Sequence, residues 1–341
     1  MPCTRPHQST NTPASITANL PAANSPYSLT SEEEERITNA LNRALAPATL
    51  SYYRRRWGIF VRWCEERGVD PVLSTPELIA AFLTELVKDG ARKATTLTAY
   101  TSALRYHFTL FGHDPNPMDA MGVKRVMQGI RRELGIGAKQ APGLTATQFA
   151  EVKVFAYVPR YNNKYRNGKE TPEQTDKRAK EDIAVISVMR DGMLRAGETL
   201  ALTWGDVSGP NDDGSGSVYI KQSKTDQLAE GAYVYLSQGS FRALMAIRPV
   251  DVDNDQRIFP WHYETLKTRI SNACKVAGLP GNYTTHSLRV GMAQDLTAAG
   301  ISLPAIQQAG RWGTPDMPAR YARKLAVKDG GVAQYYARQG G

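Results

Sequence analysis

Residues 285–321 read THSLRVGMAQDLTAAGISLPAIQQAGRWGTPDMPARY, and this stretch indicates both the fold and the chemistry of the chain. His286 and Arg289 lie three positions apart, so a helix places both side chains on one face. A threonine pair precedes this predicted helix and Gly300 follows it, as capping residues do. A histidine and an arginine at this spacing are common by chance, and a single helical histidine is more often structural than catalytic. Whether the pair is catalytic or structural must therefore be judged from the residues around it.

A tryptophan and a tyrosine follow the pair. Ser302 and Thr314 predict the starts of two short helices, and Pro315 strengthens the second prediction. Trp312 lies between these starts, and Tyr321 follows Trp312 by nine residues, about two turns into the last helix. Taken alone, Tyr321 is one of 16 tyrosines and would be assigned to packing.

Arg195, Glu198 and Lys224 complete the set of polar side chains. Attack on a phosphodiester builds charge on its nonbridging oxygens, so a catalyst needs fixed donors aimed at them. Arginine suits this task because its planar guanidinium group binds two oxygens and keeps its proton. Glu198 is expected to share a helix face with Arg195, where it orients the arginine or forms a plain ion pair. Lys224 falls in a predicted hairpin turn, where a lysine is usually only solvated.

The chain has a formal net charge of +9, with a basic excess in both halves. This distribution suits a polyanion-binding protein, because each neutralised phosphate releases counterions, although an ordinary basic protein also fits. No apolar run approaches the ~20 residues of a membrane span, and residues 1–26 do not resemble a secretory signal. Cys3, Cys64 and Cys274 lack zinc-ligand spacing, and we expect the last two to be buried free thiols. We therefore expect an intracellular protein.

Composition divides the chain into segments. Residues 1–27 lack apolar spacing and are predicted to be a disordered tail. Apolar residues recur at helical spacing from Ser31 onward, which predicts a helical domain over 28–134. Glycines and a proline interrupt this pattern at 135–143, which predicts a linker. Residues 144–341 then form a second domain.

The second domain is predicted to combine helices with a small sheet. Helical patterns cover 145–158 and 183–202, and the polar residues 159–180 between them are predicted to be an exposed loop. Aromatic and β-branched runs at 218–220 and 233–236 predict two antiparallel strands. The predicted fold class is therefore mainly α with a small antiparallel sheet, with an all-α N-terminal domain and an α+β C-terminal domain.

Basic residues recur on the predicted N-terminal helices. A solvated helix face explains any single one of them best, but as a set they suggest a DNA-facing surface. The helix that opens near residue 93 is a candidate to enter a major groove. The candidate DNA-contact residues are Arg54, Arg55, Lys93, Thr95, Thr96, Lys124, Arg131 and Arg132.

The order Arg, Glu, Lys, HxxR, Trp, Tyr resembles the tyrosine recombinase, or phage integrase, family. Residues 285–291 and 305–312 are similar to its Cre-like members in particular. The similarity extends weakly upstream to about Pro47, and its specific motifs lie in the C-terminal half. The resemblance implies a helical DNA core-binding domain followed by a tyrosine recombinase catalytic domain.

The resemblance also implies a mechanism. Tyr321 would attack the scissile phosphate to give a 3′-phosphotyrosyl link and a free 5′-hydroxyl. Arg195 and Arg289 would hold the nonbridging oxygens. His286 would assist proton movement or donate to the phosphate.

Three further roles follow from the same resemblance. Lys224 would be the general acid that protonates the leaving 5′-oxygen, and Trp312 would donate its indole N–H to the phosphate. Glu198 would orient the first arginine. No metal and no cofactor would be needed, because the phosphotyrosyl bond conserves the energy of the phosphodiester.

The expected function is site-specific recombination of DNA by an enzyme of a mobile element. The expected partners are double-stranded DNA with inverted-repeat target sites and further copies of the chain in a tetrameric synapse, without a membrane. The protein would be associated with DNA inside the cell, in the cytoplasm and nucleoid or, in a eukaryotic host, in the nucleus. The segment after Tyr321 would dock a C-terminal helix onto a neighbouring subunit or onto its own domain. Alternatives are a topoisomerase or end-resolving enzyme with the same chemistry, and a DNA-binding protein of this fold without catalysis.

Overall fold

The structure is a computed structural model, which describes residues 30–43, 45–88, 93–135, 141–161, 168–221, 231–322, 335–336 and 339. The chain divides into two compact units, Met1–Lys139 and Gln140–Gly341. The predicted tail at 1–27 lies outside the described residues, as do residues 136–140 of the predicted linker. None of the described helices has the length and apolar character that a membrane span requires.

The described part of the N-terminal unit is helical. Its five α-helices are α1 Ser31–Arg43, α2 Pro47–Glu65, α3 Pro76–Glu85, α4 Ala94–Leu110 and α5 Met121–Leu134. Helix α2 packs on α4, and α3 packs on α5. Phe60 of α2 and Phe108 of α4 are fully buried and meet in an aromatic core. The apolar face of α5 begins at Val123, because Met121 is 64% exposed.

The longest described helix of the C-terminal unit has 20 residues, and its second half is buried among shorter helices and strands. The described elements of this unit are α6 Ala146–Phe155, α7 Pro172–Asp191, α8 Ala196–Ala201, β1 Val207–Ser208, β2 Gly216–Ile220, β3 Ala232–Leu236, α9 Gln238–Met245, α10 Tyr263–Val276, α11 Thr285–Ala298, α12 Leu303–Ala309 and α13 Asp316–Ala322. The strands form an antiparallel sheet in the order β1-β2-β3, with Val218 opposite Val234. The predicted fold class, mainly α with a small antiparallel sheet, is confirmed. Cys64 and Cys274 are buried free thiols, as predicted.

Helix α7 corrects two predictions about the C-terminal unit. It begins at Pro172, inside the predicted loop, because the side chain of Thr171 caps its backbone and Gln174 completes a capping box. It ends at Asp191, so the prediction of one helix over 183–202 is wrong. The apolar pattern hid this break because the turn residue Met193 is itself buried.

The polar N-terminal half of α7 is held by buried ion pairs. The side chain of Asp182 is 2% exposed and accepts from Arg160 Nη1 at 2.9 Å and Arg269 Nε at 2.7 Å. Arg178 pairs with Glu170 at 2.7 Å. Charged residues that predicted an exposed loop therefore anchor α7 in the interior of its unit.

The chain crosses α11 just before α6 begins. The Leu144 N–H donates to the Ser287 carbonyl at 2.8 Å, and Arg190 Nε donates to the Leu144 carbonyl at 3.2 Å. Arg190 also pairs with Asp295 near the end of α11. This crossing is possible because Gly291 has no side chain, since a Cβ there would overlap the Leu144 backbone. The crossing therefore fixes α11 against α7.

Substituting Gly291→Ala should lower the free energy of unfolding by about 1–3 kcal/mol, because the new methyl group must displace backbone. Urea denaturation measures this loss. Gly239→Ala in α9 is the matched control, since a Cβ there has no atom within 4 Å. An equal stability for the two variants would contradict the close crossing.

Candidate active site

Helix α11 places His286 and Arg289 together. Its N-cap is Thr284, whose hydroxyl accepts from the His286 N–H at 3.3 Å. Ser287 completes the capping box by accepting from the Thr284 N–H at 3.0 Å. The predicted cap and the predicted common face of the HxxR pair therefore place both side chains at the start of one rigid element.

Tyr321 and Trp312 reach the same place from the following turn and helix. Trp312 lies between α12 and α13, and Tyr321 is near the end of α13. The Tyr321 side chain is 3% exposed and its ring lies 5.6 Å from the Trp312 ring. The Tyr321 hydroxyl lies 2.7 Å from His286 Nε2, within hydrogen-bond distance.

Arg289 connects three segments of this site. Its side chain is almost fully buried and donates to the backbone carbonyls of Met193 and Gly310, the latter at 2.6 Å. Its guanidinium carbon lies 5.0 Å from the centre of the Trp312 ring, which allows a cation–π contact. Helix α11 is therefore joined to the turn before α8 and to the turn after α12.

Arg195 and Glu198 meet at the start of α8. Arg195 is the N-cap residue, so the expectation that both residues share a helix face is wrong for Arg195. Their contact combines a capping hydrogen bond with the predicted ion pair. Glu198 accepts from the Arg195 backbone N–H at 2.9 Å and from Arg195 Nη1 at 2.7 Å. Glu198 is buried, whereas the Arg195 side chain is 25% exposed.

Arg311 is a site residue that the sequence did not reveal. Its Nη2 donates to Glu198 at 2.8 Å and its Nη1 donates to the Gly192 carbonyl at 3.0 Å. The sequence places this arginine between Gly310 and Trp312, where nothing separates it from a solvated arginine. Its backbone φ of 50° is a structural signal that a sequence does not carry.

Burial and charge together determine the protonation of the site. Burial, with the positive charges of Arg289 and Arg195, holds the pKa of His286 below its usual value. Burial raises the pKa of Tyr321 above its usual value, although Arg289, Arg320 and Arg195 oppose that change. The pocket therefore holds a neutral imidazole beside a neutral phenol at neutral pH.

The positive charges of Arg289 and Arg195 act on both the Tyr321 phenol and the His286 imidazole. Burial, Arg195 and Arg311 lower the pKa of Arg289 to about 10, which still leaves it charged at neutral pH. The neutral imidazole can accept the phenol proton, and the cations can stabilise an anion beside the phenol. Such a site suits nucleophilic attack by a tyrosine on an anionic ester.

The described residues include no cluster of three or more His, Cys, Asp or Glu side chains placed to hold a metal ion.

Other predicted site residues belong to the N-terminal unit or fall outside the described residues. Lys224 belongs to residues 222–230, which the structure does not describe. The side chain of Thr95 is likewise not described. Of the predicted C-terminal helix, residues 323–334 are outside, while Tyr335 and Tyr336 are exposed.

The candidate DNA-contact residues belong to the N-terminal unit. Lys93 is the N-cap residue of α4, Thr96 is partly buried in its first turn, and Lys124 pairs with Asp119 at 3.3 Å. The remaining candidates are exposed on α2 and α5, namely Arg54, Arg55, Arg131 and Arg132.

Comparison with known proteins places the chain in a family. The model of the Phage integrase family matches residues 169–327, and that of the Phage integrase, N-terminal SAM-like domain, matches residues 39–111. The integrase/recombinase xerD homolog of Selenomonas ruminantium is 23% identical over 332 residues, which cover 89% of this chain and 91% of that protein. The recombinase cre of Escherichia phage P1 is 25% identical over 249 residues, which cover 64% of this chain and 68% of that protein.

A solved structure of a similar fold agrees with these matches. The lambda integrase dimer bound to a COC′ core site has a TM-score of 0.54 and 18% identity, covering 84% of this chain and 93% of that chain. This likeness shows the shared fold. The chain belongs to the phage integrase family, the tyrosine recombinases, and a Cre-like homologue is among its relatives.

Histidine NMR should show that His286 titrates below its usual pKa of about 6.5. Because burial and two cations disfavour the imidazolium ion, the ring should be neutral at pH 7. Arg195→Gln should raise the pKa of His286 without restoring it fully, since the ring stays buried. Arg242→Gln, which removes an exposed arginine of α9, is the control and should leave it unchanged. A wild-type pKa at or above 6.5 would contradict this electrostatic account.

Proposed function

We propose that this chain is a site-specific DNA recombinase that cleaves and rejoins strands through a 3′-phosphotyrosyl intermediate. Membership of the tyrosine recombinase family supports the enzyme class. The observation that carries the assignment of the site is the 2.7 Å distance between the Tyr321 hydroxyl and His286 Nε2, beside Arg289 and Trp312.

In the cleavage step the Tyr321 oxygen attacks the scissile phosphorus. The bond from phosphorus to the 5′-oxygen breaks, so the 3′ side of the strand becomes linked to the tyrosine. The phenol proton moves to His286 Nε2, which lies 2.7 Å from the hydroxyl and can accept it when the neutral ring carries its own proton on Nδ1. A proton acceptor is needed because burial raises the pKa of Tyr321.

Arg195 and Arg289 stabilise the phosphate in this step. Arg195 is the more exposed of the two, so its guanidinium group can meet the nonbridging oxygens as DNA arrives. Arg289 lies beneath the Trp312 ring and adds a charge that burial makes more effective. Trp312 packs beside Tyr321 and is proposed to give its indole N–H to the phosphate.

Lys224 is proposed as the general acid for the leaving 5′-oxygen. The resemblance supports this role, because the lysine stands between the first arginine and the HxxR pair. The rejoining step is the reverse reaction with the 5′-hydroxyl of another strand. Bond energy is retained in the phosphotyrosine, so the exchange needs no nucleotide to drive it, and the arginine cations are proposed to supply the charge stabilisation that a metal ion gives in other enzymes.

The proposed partner is double-stranded DNA with inverted-repeat target sites, bound by four copies of the chain in a synapse. The lambda integrase relative is a dimer on a core site, which supports the binding of paired copies to one DNA site. The basic residues of the N-terminal unit and the net charge of +9 support phosphate binding. The protein would act inside the cell, associated with DNA.

Incubation with a nicked target DNA should give a covalent protein–DNA adduct that resists denaturation. Tyr321→Phe should abolish it, and Arg289→Ala should slow its formation by about 10²–10³-fold, as loss of an oxyanion donor does. Tyr233→Phe is the matched control, because this exposed strand tyrosine lies outside the pocket. An adduct that survives Tyr321→Phe would identify another nucleophile. An adduct without exchange between two sites would instead favour a topoisomerase or end-resolving enzyme.

Lys224→Ala should slow cleavage of ordinary DNA far more than cleavage of DNA with a bridging 5′-sulfur at the scissile position. A thiolate leaves without protonation, so such a substrate no longer needs a general acid. Single-turnover rates on the two substrates measure the difference. An equal loss on both substrates would show that Lys224 does not protonate the leaving group.

A further inference from the structure

Arg311 occupies a backbone position that is unfavourable for it. Among the described residues, Met193 and Arg311 are the non-glycine residues with a positive φ, at 46° and 50°. A side chain in this left-handed region is strained, and such strain recurs at functional sites where surrounding contacts maintain it. The contacts that hold Arg311 there are therefore informative.

The Arg311 side chain reaches from the turn after α12 to the turn before α8. Its Nη1 donates to the Gly192 carbonyl at 3.0 Å, and its Nη2 lies 3.3 Å from the Met193 carbonyl. Met193 is the second strained residue, and its carbonyl also accepts from Arg289. Hydrogen bonds from Arg289 and Arg311 thus hold the two strained turns together.

Arg311 also shares a carboxylate with Arg195. The Oε2 atom of Glu198 accepts from Arg311 Nη2 at 2.8 Å and from the Arg195 backbone N–H at 2.9 Å. The Oε1 atom accepts from Arg195 Nη1 at 2.7 Å. Glu198 is buried, so its two oxygens depend on these donors to compensate for lost hydration.

We infer that Arg311 is a positioning residue that fixes the Glu198 carboxylate and, through it, the guanidinium group of Arg195. This role rests on the proposed function, in which Arg195 meets the scissile phosphate. Without Arg311, the Glu198 carboxylate would lose one of the donors that fix its position, so the Arg195 guanidinium group that it orients would become mobile. With Arg311 present, Glu198 divides its charge between two guanidinium groups and Arg195 keeps a net attraction for phosphate.

Arg311→Gly is a suitable test because glycine adopts a φ of 50° without strain, so the variant should fold. The rate of adduct formation at saturating DNA should fall by about 10–100-fold, the range for a hydrogen bond to a charged group. DNA affinity should fall no more than in Arg242→Ala, which removes one exposed charge from α9. Arg311→Lys, or millimolar guanidinium added to Arg311→Gly, should restore part of the rate.

A double-variant cycle separates positioning from a general structural role. In a Glu198→Gln background, Arg311→Gly should slow the reaction much less than in wild type, because the two residues act through the same contact. Losses that multiply, or an Arg311→Gly rate equal to that of Arg242→Ala, would overturn the inference.

The DNA-free protein provides an independent readout. Nitrogen NMR of the Arg195 side chain should show a rigid Nε–H in wild type and a mobile one in Arg311→Gly. If wild type forms no covalent adduct, the proposed function fails, but the NMR comparison still decides whether Arg311 holds Arg195. An Arg195 side chain that stays rigid in Arg311→Gly would overturn the inference even if the enzyme is active.

Discussion

The site depends on the hydrogen bonds that the buried guanidinium group of Arg289 makes. Arg289 extends from α11 and donates to the carbonyls of Met193 and Gly310, which belong to two different turns. A buried charge must be compensated by hydrogen bonds, so these turns cannot separate from α11 without a large loss. One turn leads to Arg195 and the other to Trp312 and Tyr321. The same residue thus brings together the segments of the pocket and supplies part of its charge.

The electrostatics of the pocket indicate a site prepared for an anion. Burial lowers the pKa of Arg289 and of Arg311, the positive charge of Arg195 lowers both further, and Glu198 opposes these changes. Burial still outweighs these cations at Tyr321 and keeps the phenol protonated. A bound phosphate would add negative charge beside these cations. The neutral imidazole of His286 would be available to accept a proton. Activation of the tyrosine therefore depends on proton transfer as well as on nearby positive charge.

The elements that could be predicted are those whose sequence pattern lies within a few neighbouring residues. The cap of α11 and the helical spacing of His286 and Arg289 follow from neighbouring residues, and so do the aromatic and β-branched runs of β2 and β3. The break between α7 and α8 was missed because Met193 continues the apolar pattern although its backbone turns. The start of α7 was missed although Thr171 and Gln174 form a capping box that its local sequence contains. The role of Arg311 was not predictable, since its contacts with Glu198 and Gly192 span more than a hundred residues of sequence.

The central claim is that one chain assembles the described part of the pocket, with Tyr321 beside its own His286 and Arg289. Mixing Tyr321→Phe protein with Arg289→Ala protein on a nicked target tests this most directly. If each subunit uses its own tyrosine, the mixture should form adduct no faster than the two variants do separately. Rapid adduct formation on mixing would show that the tyrosine acts in the pocket of another subunit, and it would contradict the account.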